Sequence, residues 1–249
     1  MPKKFFLLAL LLLSSNCSNC SIIDDIIKTL KSFLQKNVDN DTIVKVMEFL
    51  RKYKINLFPN HLAKNTEAFK NHLEAIKAYK GYIEDQKNYT DMSYGLLHVS
   101  NTGCGTIATY NVLYHITRDT NIDFASIVDN FEKDGIVFNG IMGTSAISIE
   151  EFFKKKGFKT MSSTKVEDFD KIGEETEASV VLVYNDRDDI FDSIHYMAIT
   201  KTDGKFYFHN LHHSGGVPSD IGYNSISEGV GKINNGKSQG IFLVGVGKN

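Results

Sequence analysis

The segment Cys104–Thr117 constrains the fold most, because its apolar side chains point in every direction around a helix. Ile107, Val112 and Ile116 lie on different sides of the helix that this spacing predicts. A helix that is apolar all round belongs in a core, so other elements must cover it. The sequence therefore predicts a packed globular domain built around this helix.

The last third of the chain has the pattern of β-structure. A run of apolar residues, many of them branched, predicts a buried strand at Ser179–Tyr184. Three more strands are predicted at Ile194–Thr200, Lys205–Asn210 and Gly240–Val246. Asp203-Gly204 separates the middle two, and Asp-Gly between apolar strands is typical of a hairpin. Because the strands follow a series of helices, the predicted fold class is α+β.

Apolar residues recur at helical spacing in three segments before residue 90, so this region is predicted to be helical. The three stripes lie at Ile22–Leu34, Ile43–Leu50 and Phe69–Tyr79. After the buried helix, a short helix is predicted at Phe124–Phe131. Another is predicted to begin at a capping box, Ser148–Glu151, and to end at Gly157.

Residues 1–20 have the pattern of a secretory signal peptide. Two lysines precede the apolar run Phe5–Leu13, and small polar residues follow it. This run is too short to span a bilayer, which takes about 20 apolar residues. The sequence therefore predicts export, with a secreted or extracytoplasmic protein as the result. The alternatives are a lipid anchor at Cys17 or Cys20, and a buried N-terminal helix.

Cys104 is the only cysteine that remains once the signal peptide is removed, and it lies between two glycines at the start of the buried helix. An unpaired thiol in an exported protein favours a chemical role. Glycines allow a sharp turn and a close approach of substrate. A helix N-terminus lowers the pKa of a thiol, and its N–H groups can bind an oxyanion. The alternative is a small buried hydrophobic residue.

The predicted hairpin brings a candidate base and a candidate orienting residue together. A two-residue turn at Asp203-Gly204 makes His195 and Asn210 diagonal neighbours on one face, and a loop at Lys201–Gly204 puts them directly opposite. A three-residue loop would separate them. A thiolate needs a base that a third group holds, so these two residues are candidates for those roles. The alternative for His195 is a hydrogen-bonded core histidine.

Three segments resemble motifs of the papain-like cysteine peptidases, nearest the branch that processes bacteriocins with double-glycine leaders. Gly103–Ala108 with Asn111–Leu113 resembles the cysteine motif, and His195–Ile199 resembles the histidine strand. Phe206–Asn210 resembles the next strand, which ends in the orienting Asp or Asn. The resemblance covers residues 91–249. It implies a papain-like fold with a helical subdomain that bears the nucleophile helix and an antiparallel β subdomain.

The resemblance implies a hydrolase without a cofactor, most simply a peptidase that acts on a peptide or protein substrate. Cys104 would be the nucleophile and would form a thioester, His195 would be the base, and Asn210 would orient the imidazole. Residues 21–90 would lie outside this domain, either as a pro-region that blocks the cleft or as a permanent helical appendage or partner-binding surface.

One position departs from the family pattern and leaves other functions open. The family usually has Gln six residues before the cysteine as an oxyanion donor, and here that position is His98. A ring N–H of His98 or the amide of Asn101 is the candidate donor. The alternatives are amidase or acyltransferase chemistry on the same fold, and a catalytically weak binding protein on the same scaffold.

Charge and the remaining histidines point away from other classes of function. The net charge is −2 and lysines and arginines do not cluster, so nucleic-acid binding has no electrostatic support. No cysteine or carboxylate completes an obvious ligand set with His209, His212 and His213, so no metal site is predicted. They are interpreted as cleft-rim or loop residues. Membrane contact is predicted only through the lipid anchor.

Overall fold

The structure is a computed structural model that describes residues 39–52, 60–185, 194–211 and 220–249. The signal peptide, Cys17, Cys20, the predicted helix at Ile22–Leu34, His212 and His213 lie outside these residues. Within the described ranges, no helix combines the length and the apolar character needed to cross a membrane.

Most of the helices precede residue 178, and the longest strands begin at or after it. The helices are α1 (Asn40–Lys52), α2 (Leu62–Lys70), α3 (Leu73–Ala78), α4 (Val99–Thr102), α5 (Cys104–Thr117), α6 (Phe124–Asp134), α7 (Ala146–Lys155), α8 (Phe169–Glu175) and α9 (Ile226–Lys232). The strands are β1 (Ser93–Tyr94), β2 (Leu97–His98), β3 (Lys159–Ser163), β4 (Ala178–Tyr184), β5 (Ile194–Thr202), β6 (Lys205–His209) and β7 (Gln239–Gly247). Short 3₁₀ helices lie at Gln86–Asn88, Phe138–Gly140, Val166–Asp168 and Ile233–Gly236.

An antiparallel sheet in the order β3-β7-β4-β5-β6 forms the centre of the domain. β4 is buried along its whole length, as its unbroken apolar run requires. α5 packs on β4 and β5 from one side, where Val180 and Leu182 face it. α8 and α9 cover Val181 and Val183 on the other side. The helix that bears Cys104 therefore packs on the antiparallel sheet, and the α+β prediction is confirmed.

The β5–β6 hairpin has the two-residue turn that the sequence predicts. Thr202 pairs with Lys205, and the pairing continues as far as Ala198. Asp203 and Gly204 have φ angles of 50° and 70°, which a type I′ turn requires. The register with the two-residue turn is therefore confirmed, and the four-residue loop is wrong.

The helical N-terminal region differs from its prediction in one place. α1 buries the stripe predicted at Ile43–Leu50. The prediction of a single helix at Phe69–Tyr79 is wrong, because this segment is divided between α2 and α3. Leu73 and Tyr79 are exposed, so this stripe does not form one continuous buried face.

The capping box predicted at Ser148–Glu151 is also wrong. α7 begins after Ser145, whose backbone N–H donates to the Gly135 carbonyl. The Ser148 hydroxyl donates to the Ser145 carbonyl at 2.7 Å, inside the first turn. This backbone contact with Gly135 thus favours Ser145, and not Ser148, as the residue that begins the helix. Strand β3 was not predicted, because its side chains are only partly buried.

We expect Gly105→Ala to lower the free energy of unfolding by about 1–3 kcal/mol, the usual cost of overpacking a core. A Cβ at this position would lie 2.8 Å from Cβ of the buried Thr144. Chemical denaturation followed by circular dichroism measures the change.

Gly231→Ala is the matched control. Gly231 lies in α9, and a Cβ there would meet nothing within 4 Å. Alanine should stabilise this helix by up to about 1 kcal/mol through its higher helix propensity. Equal effects of the two substitutions would contradict the close packing of α5 on Thr144.

Candidate active site

Cys104 is the first residue of α5, and it is only 8% exposed. Gly103 caps the helix, and its carbonyl accepts the N–H groups of Thr106 and Ile107. The first-turn N–H groups of a helix lack partners inside the helix. The thiol therefore lies where the helix dipole is positive, as the sequence predicts.

The sulfur of Cys104 lies at the edge of β5, beside the residue that follows His195. The backbone N–H of Tyr196 is directed at this sulfur. The backbone N–H groups of β5 point alternately toward β6 and away from it. Counting back from Thr202, which closes the hairpin, those of every second residue point toward β6, and Tyr196 is one of them. The β6 pairing ends opposite Ala198, so the N–H of Tyr196 reaches the thiol instead of a partner strand.

Burial raises the pKa of the Cys104 thiol above its ordinary value. The N–H groups of Tyr196, Gly105 and Cys104 itself act in the opposite direction, because they stabilise a thiolate. The sequence predicted a lowered pKa from the helix N-terminus. That prediction is wrong for this conformation, since desolvation of the buried sulfur outweighs the N–H groups.

Packing inside the protein explains both glycines that flank Cys104. A Cβ on Gly105 would lie 3.3 Å from Cδ2 of Tyr196, in addition to its clash with Thr144. A Cβ on Gly103 would lie 2.7 Å from Cγ1 of Val99. The sequence interpretation assigned these glycines to a sharp turn and to a close approach of substrate. In the structure they let α5 and the preceding turn approach their own neighbours.

His195 lies on β5 and is 4% exposed. Its Nε2 lies 2.6 Å from the backbone carbonyl oxygen of Asn210. A carbonyl oxygen only accepts hydrogen bonds, so this contact assigns the ring proton to Nε2. In the neutral ring, Nδ1 then carries the lone pair and can act as a base.

Asn210 contacts His195 through its main chain and not through its amide. The residue follows β6, and its φ is 59°, in the left-handed region that Asn tolerates better than most residues. Its Oδ1 accepts the N–H of Gln86 at 3.2 Å, and its Nδ2 lies 3.4 Å from Oε1 of Gln86. The structure thus brings the predicted pair together, with the carbonyl in the place assigned to the amide.

The two oxyanion candidates are exposed on the segment that precedes Cys104. His98 ends β2 and is the N-cap of α4, where its side chain makes no capping hydrogen bond. Asn101 lies inside α4. Their contribution to an oxyanion hole stays a prediction.

Two residues that contact this site, Glu84 and Gln86, were not predicted from the sequence. The Gln86 side chain donates to the Ser100 carbonyl at 3.2 Å, so Gln86 joins the segment before Cys104 to Asn210. The Glu84 carboxylate accepts the backbone N–H of Asn210 at 2.8 Å. These contacts with Asn210 span 124 and 126 positions, and no local pattern signals them.

His209 is buried, so its interpretation as a cleft-rim or loop residue is wrong. Its Nδ1 lies 2.6 Å from Oε1 of Glu84, and its Nε2 lies 2.8 Å from Oγ1 of Thr200. Both ring nitrogens therefore have partners inside the protein. Among the described residues, no group of three or more His, Cys, Asp or Glu is arranged to hold a metal ion.

Comparisons with known proteins give one structural similarity. No protein-family model matches the chain, and no curated protein matches it in sequence. Among solved structures, the chain is similar to the peptidase domain of Streptococcus ComA, a bi-functional ABC transporter involved in a quorum-sensing pathway. The two are 18% identical, the match covers 59% of this chain and 91% of that chain, and the TM-score is 0.37. At these values the similarity carries no argument about activity, and the proposals below rest on the geometry of the site.

We expect Asn210→Gly to preserve the Nε2-protonated tautomer of His195, because glycine adopts a positive φ without strain and keeps the carbonyl. Asn210→Val should lose this tautomer and destabilise the protein by about 1–2 kcal/mol, the cost of a left-handed conformation. The ¹⁵N NMR shifts of the two ring nitrogens measure the tautomer. If the amide were the orienting group, both variants would disturb the ring equally.

Proposed function

We propose that this chain is a papain-like cysteine hydrolase, most simply a peptidase, with Cys104 as nucleophile and His195 as base. One observation carries the proposal. The thiol lies against the N–H of Tyr196, next in sequence to a histidine whose Nε2 is bonded to the Asn210 carbonyl. A nucleophile at a helix N-terminus beside a base held by a third group is the arrangement that nucleophilic catalysis requires.

The proposed reaction is acyl transfer to water through a thioester. Nδ1 of His195 accepts the thiol proton while the sulfur attacks the carbonyl carbon of the substrate. The N–H at the start of α5 stabilises the oxyanion, with His98 or Asn101 as the proposed side-chain donor. The imidazolium then donates its proton to the leaving amine. Water, deprotonated by His195, hydrolyses the thioester and restores the thiol.

A binding protein on the same scaffold is the second candidate, and the burial of Cys104 favours it. A buried thiol with a raised pKa is a poor nucleophile unless a base assists it. The two candidates therefore differ in whether His195 controls the reactivity of Cys104.

Export and the role of residues 21–90 belong to the same proposal. The basic, apolar and small-residue pattern of residues 1–20 supports a removable signal peptide, with a secreted protein or a lipid anchor at Cys17 or Cys20 as the outcome. The mass of the mature N-terminus distinguishes cleavage alone from cleavage with lipid attachment. Residues 21–90 are proposed to be a pro-region or a permanent appendage, and the contacts of Glu84 and Gln86 favour a permanent role for the segment that contains them.

We expect iodoacetamide to alkylate Cys104 at pH values well below about 8.5, the pKa of a free thiol. Neutral His195 assists the reaction, because its Nδ1 can accept the thiol proton. In the His195→Ala variant no base assists the buried thiol, so the reaction should be at least about tenfold slower at neutral pH and should recover as the pH rises past the thiol pKa. Mass spectrometry of the Cys104 peptide measures the rate.

His115→Ala is the control for this comparison. His115 is a buried histidine on the same helix, and burial lowers its pKa to about 4, so it is neutral throughout the titration. Its removal should leave the pH profile of Cys104 unchanged. If the wild-type profile follows an ordinary or raised thiol pKa and His195→Ala does not alter it, the binding protein is the better interpretation.

We expect the full chain, incubated with a peptide library in H₂¹⁸O, to incorporate one ¹⁸O into each new carboxyl group. Cys104→Ala should lower the rate on the order of 10⁴-fold or more, as removal of a catalytic nucleophile does. An added amine would divert the acyl group into an unlabelled amide if the protein were an acyltransferase. Absence of any product that depends on Cys104 would contradict peptidase activity.

A further inference from the structure

We propose that Glu84 is a positioning residue, which holds the main chain of Asn210 so that its carbonyl can orient His195. This inference rests on the proposed function, because it concerns the proposed base. Glu84 lies upstream of the segment that the resemblance covers, and neither the sequence motifs nor the comparisons assign it a role.

Both carboxylate oxygens of Glu84 are directed at the chain around Asn210. Oε2 accepts the backbone N–H of Asn210 at 2.8 Å, and Oε1 lies 2.6 Å from Nδ1 of His209. Glu84 is 8% exposed, so these partners replace the water that a carboxylate would otherwise bind. The carboxylate therefore holds both residues that flank one peptide bond.

This contact matters because Asn210 adopts a left-handed conformation. The bond to Glu84 fixes the direction of the Asn210 N–H, and Gln86 holds the side chain of Asn210. His209 is held further by Thr200 Oγ1 at 2.8 Å. With these atoms held, a φ of 59° directs the carbonyl toward Nε2 of His195, 2.6 Å away. Without Glu84, Asn210 would lose a hydrogen bond that offsets the cost of its left-handed conformation.

Glu84 is itself held by the helix that carries Cys104. The side chain of Asn111, on α5, accepts the N–H of Ile83 at 2.8 Å and donates to the Ile83 carbonyl at 2.9 Å. Ile83 is 1% exposed, so this exchange is buried. The contacts form a continuous path from the helix of Cys104 through Asn111, Ile83 and Glu84 to Asn210, and from there to His195. The same helix thus positions the nucleophile and, through Glu84, the base.

The functional unit consequently begins before residue 91, where the sequence resemblance begins. Removal of residues 21–90 as a pro-region would also remove Glu84, which makes the bond to the Asn210 N–H. On this inference, any cleavage that activates the protein lies upstream of Ile83.

The test compares two variants at Glu84 with the same two at Glu132, in the full chain. Glu132 is a matched control because it is also buried, and its Oε1 accepts the N–H of Gly95 at 2.7 Å and lies 2.8 Å from Nδ1 of His61. Leucine at either position keeps the volume and removes the acceptor. Glutamine keeps one oxygen that can accept the backbone N–H.

We expect Glu84→Leu to slow the alkylation of Cys104 by iodoacetamide at neutral pH by about tenfold, the lower end of the effect of groups that orient a functional imidazole. The His195 ring should lose its Nε2-protonated tautomer in the ¹⁵N spectrum. Glu84→Gln should recover most of both signals. Glu132→Leu and Glu132→Gln should lower stability, measured by thermal unfolding, without changing either signal.

The inference is overturned if Glu84→Leu leaves the His195 tautomer as in wild type, or if both leucine variants reduce Cys104 reactivity equally at matched stability. These results are separable from a failure of the proposed function. If the reactivity of Cys104 does not depend on His195, the proposal of a cysteine hydrolase is contradicted. The His195 spectrum of Glu84→Leu still decides whether Glu84 positions the ring.

Discussion

The close packing of α5 on β5 is the constraint on which the candidate site depends. The first turn of α5 approaches Thr144 and Tyr196 so closely that position 105 has no room for a side chain. Thr144 is fixed in turn by two buried tyrosines, because its carbonyl accepts the Tyr196 hydroxyl at 2.9 Å and its hydroxyl lies 2.7 Å from that of Tyr94. This packing places the sulfur of Cys104 against the N–H of Tyr196.

Buried polar groups impose the second constraint, because each must find a partner when it leaves water. The carboxylate of Glu84, the ring of His209 and the peptide N–H of Asn210 are buried and satisfy each other. The ring of Tyr82 stacks on His209, with centroids 4.0 Å apart, and closes this region. Loss of one member would leave another unsatisfied, at about 1–3 kcal/mol for a neutral group and more for a charged one. The network therefore couples the position of Asn210 to the integrity of the core.

The sequence predicted the parts of the fold that short-range patterns determine. Asp203-Gly204 sets the register of β5 and β6 and thus the proximity of His195 to Asn210, and the all-round apolar segment predicts α5. The contact through the Asn210 carbonyl was not predictable, because it depends on a positive φ that tertiary contacts hold. Glu84 was missed because its partners are more than a hundred positions away, at His209 and Asn210. The direction of the Cys104 pKa shift was predicted wrongly because the depth of burial depends on packing.

The burial of Cys104 gives the tautomer of His195 a particular importance under the proposed function. In a site of low dielectric, an ion pair must repay the desolvation of two charges, and burial already raises the pKa of the thiol. Under the proposed function the resting thiol is then neutral, and the base that accepts its proton is the neutral imidazole. A neutral imidazole has two tautomers, and only the one with its proton on Nε2 leaves Nδ1 able to accept the thiol proton. A preformed imidazolium carries protons on both nitrogens, so it has no alternative tautomers. The Asn210 carbonyl selects this tautomer, because it accepts a hydrogen bond from Nε2. The groups that hold this carbonyl in place therefore affect the reactivity of a buried thiol more than that of an exposed one.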